Sequence, residues 1–155
     1  MATNATNFLI KKWTGPYGGV PAFNEYKVSD FKPALEVAIQ EKLDQIDAIA
    51  NNDEEVSFEN TIIALELSGK TLNQVQTVFG IYRSNLSSPE FNDVDTEMSP
   101  RLAQINNKMY QNKKLFSRIE KLYKSDTKEK LSAEQQRLVW LYYTDFVKEG
   151  AELSE

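Results

Sequence analysis

The sequence predicts an all-α fold, an antiparallel helical array behind an irregular amino-terminal segment rich in Gly, Pro and aromatic residues. Three observations predict it. Apolar residues recur at steps of three or four from Phe31 to Phe146. No stretch alternates with period two for long enough to demand a sheet. Ser, Asn, Pro and Gly fall where helices start and stop. At 155 residues the chain fits one domain with a real core. Residues 1–26 are read as the irregular segment and 27–155 as the helical domain.

The elements follow in order. "WTGPYGGVPAF", residues 13–23, supplies no repeating backbone bonds of its own and must be pinned by contacts elsewhere. Trp13 and Tyr17 stand outside any helix. A first helix opens at Ser29 or Asp30, either of which can accept from the free amides of the first turn, and Pro33 fits that turn. Its apolar face is Phe31, Leu35, Ile39, Leu43, Ile46 and Ala50, and Asn51-Asn52 stop it. Ser57 caps a second helix whose stripe is Phe58, Ile62, Leu65, Leu72, Val75 and Phe79. Gly69 fills a gap in that stripe and lets a neighbour approach. Ser88-Pro89 opens a third, with Val94, Met98, Leu102, Ile105 and Met109 inward and Pro100 expected to kink or divide it. "NKKLFSRIEKLY" is a short helix burying Leu115, Phe116, Ile119, Leu122 and Tyr123. The last helix begins at Ser132 with capping-box spacing to Gln135. It packs Leu138, Leu141, Tyr142 and Phe146, and ends at Gly150 in the left-handed conformation.

Composition excludes several chemistries. There is no cysteine, hence no disulfide or thiolate, and no histidine, the commonest metal ligand and neutral-pH proton carrier. The net charge of −5 is uneven: residues 108–130 hold eight basic and three acidic side chains, so the remainder carries −10. That basic run reads as the solvated side of helices, with no nucleic acid implied. No run could span a bilayer, and Phe8-Leu9-Ile10 is too short for a signal-peptide core. A cytoplasmic protein is expected, with an exported form whose signal has been removed left open. The sequons at Asn4 and Asn85 are common by chance.

Apparent motifs dissolve on inspection. Ala64-Leu65-Glu66-Leu67-Ser68-Gly69-Lys70-Thr71 loosely fits a phosphate-binding loop, but that chemistry needs a flexible loop after a strand, and here the helical stripe runs through it. Asp93-Val94-Asp95-Thr96-Glu97 resembles a calcium loop, yet Met98 and Gln104 stand where Gly and Glu are required. Acidic residues early in a helix already suit its dipole. Trp140, Tyr142 and Tyr143 could line a groove, though at this spacing they read as core and rim. No catalytic, cofactor-binding or metal-ligating residue emerges.

A set of ordered stretches does resemble a known family. Pro21 with Phe23, "DFKPALE", "IDAIANN", "SFENTIIALELSG", "SPRLAQINNKMY", "LFSRIEKLY" and "QRLVWLYYTDFVKEGAELSE" are similar to the amino-terminal region of peptidyl-dipeptidases. These belong to the thimet-oligopeptidase family of zinc metallopeptidases. "FLIKKWTGPYGG" departs from the commoner family opening. The resemblance implies that zinc is held by a His-Glu-x-x-His helix and a further Glu in a large carboxy-terminal region, with the motif Glu activating the bound water. None of those positions exists here. It also implies that this chain has no cofactor of its own, and that its partners are that catalytic region and short peptide substrates, with neither nucleic acid nor membrane. Its expected role is one wall of a peptide channel, with Trp13 and Tyr17 docking on the catalytic region or capping the array. The competing expectation is a stand-alone helical interaction module.

Overall fold

The computed structural model describes residues 7–16 and 19–151, so Tyr17 and the Asn4 sequon lie outside the described residues. The architecture is all-α. The α-helices are α1 (Phe31–Ala50), α2 (Ala64–Leu67), α3 (Lys70–Asn85), α4 (Pro89–Tyr110), α5 (Lys113–Tyr123) and α6 (Ala133–Lys148). Among the described residues the sole β feature is an isolated antiparallel bridge between Thr14 and Val20. The chain forms two compact units. In the first, the residues up to Lys42 pack with Gly69–Ala103; in the second, Leu43–Ser68 packs with the residues from Gln104 onward.

The irregular segment belongs to the first unit. Leu9 is fully buried. The side-chain amide of Gln74 on α3 donates to the carbonyls of Leu9 (2.8 Å) and Lys11 (2.7 Å), and Asn7 donates to the carbonyl of Asp30. Carbonyls of this segment that no helix or sheet ladder serves are thus bonded by side chains. Gly19, at φ +119, lets the Thr14–Val20 bridge close, because a Cβ there would fall 2.6 Å from that of Trp13. The Trp13 indole nitrogen is buried without an acceptor among the described residues.

Short 3-10 turns at Phe23–Glu25 and Val28–Asp30 lead into α1. The Asp30 carboxylate reaches back to the Lys27 amide (2.9 Å), so it closes the lead-in turn in place of the expected forward cap. Phe31 then meets Phe79 (5.4 Å), Tyr82 (4.8 Å) and Phe91 (5.6 Å) edge-on, the geometry the ring quadrupole prefers. Each fully buried ring of this kind contributes roughly 1.5–3 kcal/mol of transfer free energy. Phe91, wholly buried, extends the expected α4 stripe by one turn toward its start. Ser88 caps α4 by accepting from the Phe91 amide. Pro100 does not divide α4, which runs unbroken for 22 residues. Pro100 and Thr96, whose carbonyl loses its helical partner, are both exposed, so water can take that bond.

The expected single helix through residues 58–79 is corrected. It breaks at Ser68-Gly69, where Gly69 takes φ +71 and α3 starts afresh. Apolar spacing persists across the break because the turn is only two residues long. The close approach expected at Gly69 does occur: a Cβ there would lie 2.6 Å from Cδ of Lys42.

In the second unit, Asn51 and Asn52 end α1 as expected. The Asn51 amide and side chain both donate to the Asp47 carbonyl. Ser57 and Asn60 cap one another reciprocally at 2.9 and 3.1 Å. From there the chain enters a π-turn, Glu59–Ile63, that runs into α2. Ile46, Phe58, Ile62, Leu65, Leu115, Phe116, Ile119, Leu122, Val139 and Phe146 form the core. Asn112 caps α5, and Ser132 with Gln135 makes the expected capping box on α6. At the far end of α6, Ala151 donates to Phe146 and Gly150 to Val147, with Gly150 at φ +89. This is a Schellman ending, as the glycine required. One α6 assignment is corrected: Val139 is buried and Leu141 exposed. The helix is rotated so that Val139 and Phe146, seven residues apart, define the inward line.

Candidate functional site

The second unit holds the chemistry most unlike a plain helical surface, and it centres on Arg118. This residue sits inside the basic run read as solvated, yet it is only 8% exposed. It lies three residues after Leu115 and directly before Ile119, on the inward face of α5. Its guanidinium donates to the carbonyls of Asn52 and Glu54 and to the side-chain oxygen of Asn60 (2.8 Å). Asn60 in turn donates to the carbonyl of Glu55 (2.8 Å) and accepts from the Thr61 hydroxyl (3.1 Å). A planar fork suits this task, since it can satisfy several acceptors on one short connection at once. The connection 52–60 is therefore held from α5, with Lys114 adding a bond to the Asn51 side chain.

Beside this clamp lies a cleft of about 320 Å³ lined by Glu55, Val56, Ser57, Phe58, Glu59, Leu122, Thr127 and Leu131. Its walls combine aliphatic and aromatic surface with two carboxylates and two hydroxyls. It has room for a side chain and its hydration. Nothing in it is arranged as a nucleophile with a base.

The three clustered aromatics of α6 do not share a groove. Tyr143 stacks on Tyr123 at 4.1 Å and lies near Phe116. Tyr142 donates its hydroxyl to a Glu66 carboxylate oxygen at 2.8 Å. Burial, then the Glu66 carboxylate, pushes the Tyr142 phenol well above its ordinary range. Trp140 is exposed beneath the Arg137 guanidinium, 4.1 Å from its ring. Successive helix positions point about 100° apart, which scatters the three.

The remaining sequence features resolve individually. Residues 64–71 form the end of one helix, a two-residue turn and the start of another, with no preceding strand to make a phosphate loop. Asp95 lies within α4 and pairs with Arg83, whose guanidinium holds that carboxyl below its ordinary range, while Ser99 adds a hydrogen bond. Lys124 pairs with Glu120, and Lys128 lies over the Tyr123 ring. Zinc does not fit this donor set. The chain has no His or Cys, and among the described residues no three carboxylates converge. Among the described residues no helix is long and apolar enough to cross a membrane.

Comparison with known proteins gives two close correspondences. Over 151 residues, 97% of its length, the chain is 32% identical to the dipeptidyl carboxypeptidase of Salmonella typhimurium. Over 153 residues, 99% of its length, it is 33% identical to the dipeptidyl carboxypeptidase of Escherichia coli. It spans 22% of the length of each. No family model matches the chain. The similarity is that of a domain-sized region of a peptidase.

Proposed function

We propose that this sequence is the helical amino-terminal part of a longer zinc peptidase of the thimet-oligopeptidase family, one that releases dipeptides from peptide carboxyl termini. One observation carries this: similarity runs along 97–99% of this chain yet occupies 22% of each relative. In this reading the chain contributes no group to bond cleavage. Its donor set fits no zinc centre, so the water-activating chemistry belongs to another part of the polypeptide. Its contribution is steric, as one wall of a channel that admits short, extended peptides and excludes folded ones. A rigid wall suits that task, and the Arg118 clamp and the capped helices supply rigidity.

The test uses the longer polypeptide on a pair of peptides that differ only in a free or amidated carboxyl terminus. Release of a dipeptide from the free form alone supports exopeptidase action. Internal cleavage of both would assign an endo-oligopeptidase. The purified 155-residue chain should cleave neither, and zinc-dependent hydrolysis by that chain would overturn the assignment.

A further inference from the structure

In the second unit, α1 and α2 leave an open groove of about 320 Å³ lined by Gln45, Ala48, Ile49, Ala64, Leu67 and Ser68. Its surface is mostly apolar. Leu67 is 52% exposed and Ile63 is 37% exposed, four residues apart and so on one side of their helical segment. The stretch of chain that lines it is anionic, with Lys42 and Lys70 just outside it in sequence. The stretch from Leu43 to Ser68 carries seven acidic residues and no Lys or Arg. Two of the seven, Asp44 and Asp47, lie on the same stretch of α1 that supplies Gln45 and Ala48.

We propose that this groove docks an amphipathic segment, apolar on the side it buries and flanked by Lys or Arg, from the remainder of the longer polypeptide. The proposal rests on the functional assignment above, because the 22% coverage of the relatives supplies the chain from which the segment would come. The apolar lining selects aliphatic or aromatic side chains, and the acidic surround selects basic flanks and disfavours acidic ones. A second copy presenting the same groove would bring like charges together. A segment tethered in the same polypeptide meets the groove at a high effective concentration, so a small apolar contact suffices.

Single cysteines test it, since this chain has none of its own. In the longer polypeptide, Ile63→Cys and Leu67→Cys are each compared with Leu86→Cys, a leucine 50% exposed in the first unit. Maleimide labelling is read site by site by mass spectrometry. Leu67→Cys, in the groove lining, and Ile63→Cys, one helical turn before it, should each label at least tenfold more slowly than Leu86→Cys in the native protein, and all three alike in urea. Adding Asp47→Lys should raise labelling at position 67 severalfold. Equal native rates in an authentic, peptide-cleaving longer polypeptide would overturn the docking site alone. Protection that grows with protein concentration, or that needs added peptide, would also overturn it by assigning the groove to a second copy or to substrate. A natural polypeptide whose mass shows no further chain would remove the functional assignment and the docking segment together.

Discussion

Replacing Arg118 by methionine removes the guanidinium and keeps the apolar stem that lies in the core. The change deletes two good charge-assisted hydrogen bonds, to the Asn52 carbonyl and the Asn60 side chain, and one long contact to the Glu54 carbonyl at 3.4 Å. Hydrogen bonds to charged groups are worth about 1.5–3 kcal/mol each. Against this stands relief from burying a cation, a cost that includes the Arg118 Nε, buried with no acceptor among the described residues. The net expectation is a loss of about 2–4 kcal/mol. For a chain of this size that corresponds to a fall in Tm of roughly 4–16 °C. Arg118→Lys keeps the charge without the fork and should lose less, about 1–2 kcal/mol. Urea unfolding followed by circular dichroism measures both, with exposed Lys121→Met as the control. If Arg118→Met costs no more than Lys121→Met, the clamp does not hold the 52–60 connection and the reasoning fails.

Other substitutions probe other links. Gly69→Ala places a Cβ on backbone at φ +71 and against a flexible Lys42 stem that can move aside, so strain dominates and about 1–2 kcal/mol should be lost. Gly69→Asn should lose less, and a cost under about 0.5 kcal/mol for alanine would show that the left-handed turn is not required. Gln74→Ala frees the Leu9 and Lys11 carbonyls; tryptic cleavage after Lys11 or Lys12 should accelerate severalfold, and unchanged cleavage would mean that Leu9 alone holds the segment. For Tyr142, burial and Glu66 raise the folded-state pKa, so the unfolded chain releases this proton first as pH climbs past about 10. The stabilisation is complete below that pH and drains away above it. Tyr142→Phe should cost about 1 kcal/mol at neutral pH and flatten the loss of stability between pH 9 and 11. Some slope should persist, because burial also raises the phenols of Tyr82 and Tyr110. An identical slope in the variant would refute the coupling.

Much of the fold was legible because its signals are local. Ser57, Ser88 and Ser132 each bond an amide three residues on, and Gly150 needs only its own φ, so each reads directly from neighbouring letters. What failed depended on information beyond one helix. The stripe through Gly69 counts apolar side chains and does not register a change of sign in a single φ. Leu141 and Val139 both fit helical spacing, and only the packing of α6 on α5 decides which is buried. Arg118 was hidden by its charge. Its position on the apolar face of α5 was the available signal, but its carbonyl partners lie on a connection more than sixty residues earlier. The α1–α2 groove was equally hidden, since Ala48 and Leu67 meet only in the folded chain. The lack of imidazole and thiol side chains, by contrast, is read directly from composition, because no folding supplies a side chain the sequence lacks.

The most direct measurement is the mass and activity of the natural polypeptide that carries this sequence. Immunoprecipitation with antibody against the 155-residue chain, followed by intact-mass analysis and a dipeptide-release assay, provides both. Since the chain is 22% of each relative, the account predicts a polypeptide about four and a half times as long that liberates dipeptides from free carboxyl termini. A polypeptide that ends near Glu155, or a long one without peptidase activity, would contradict it.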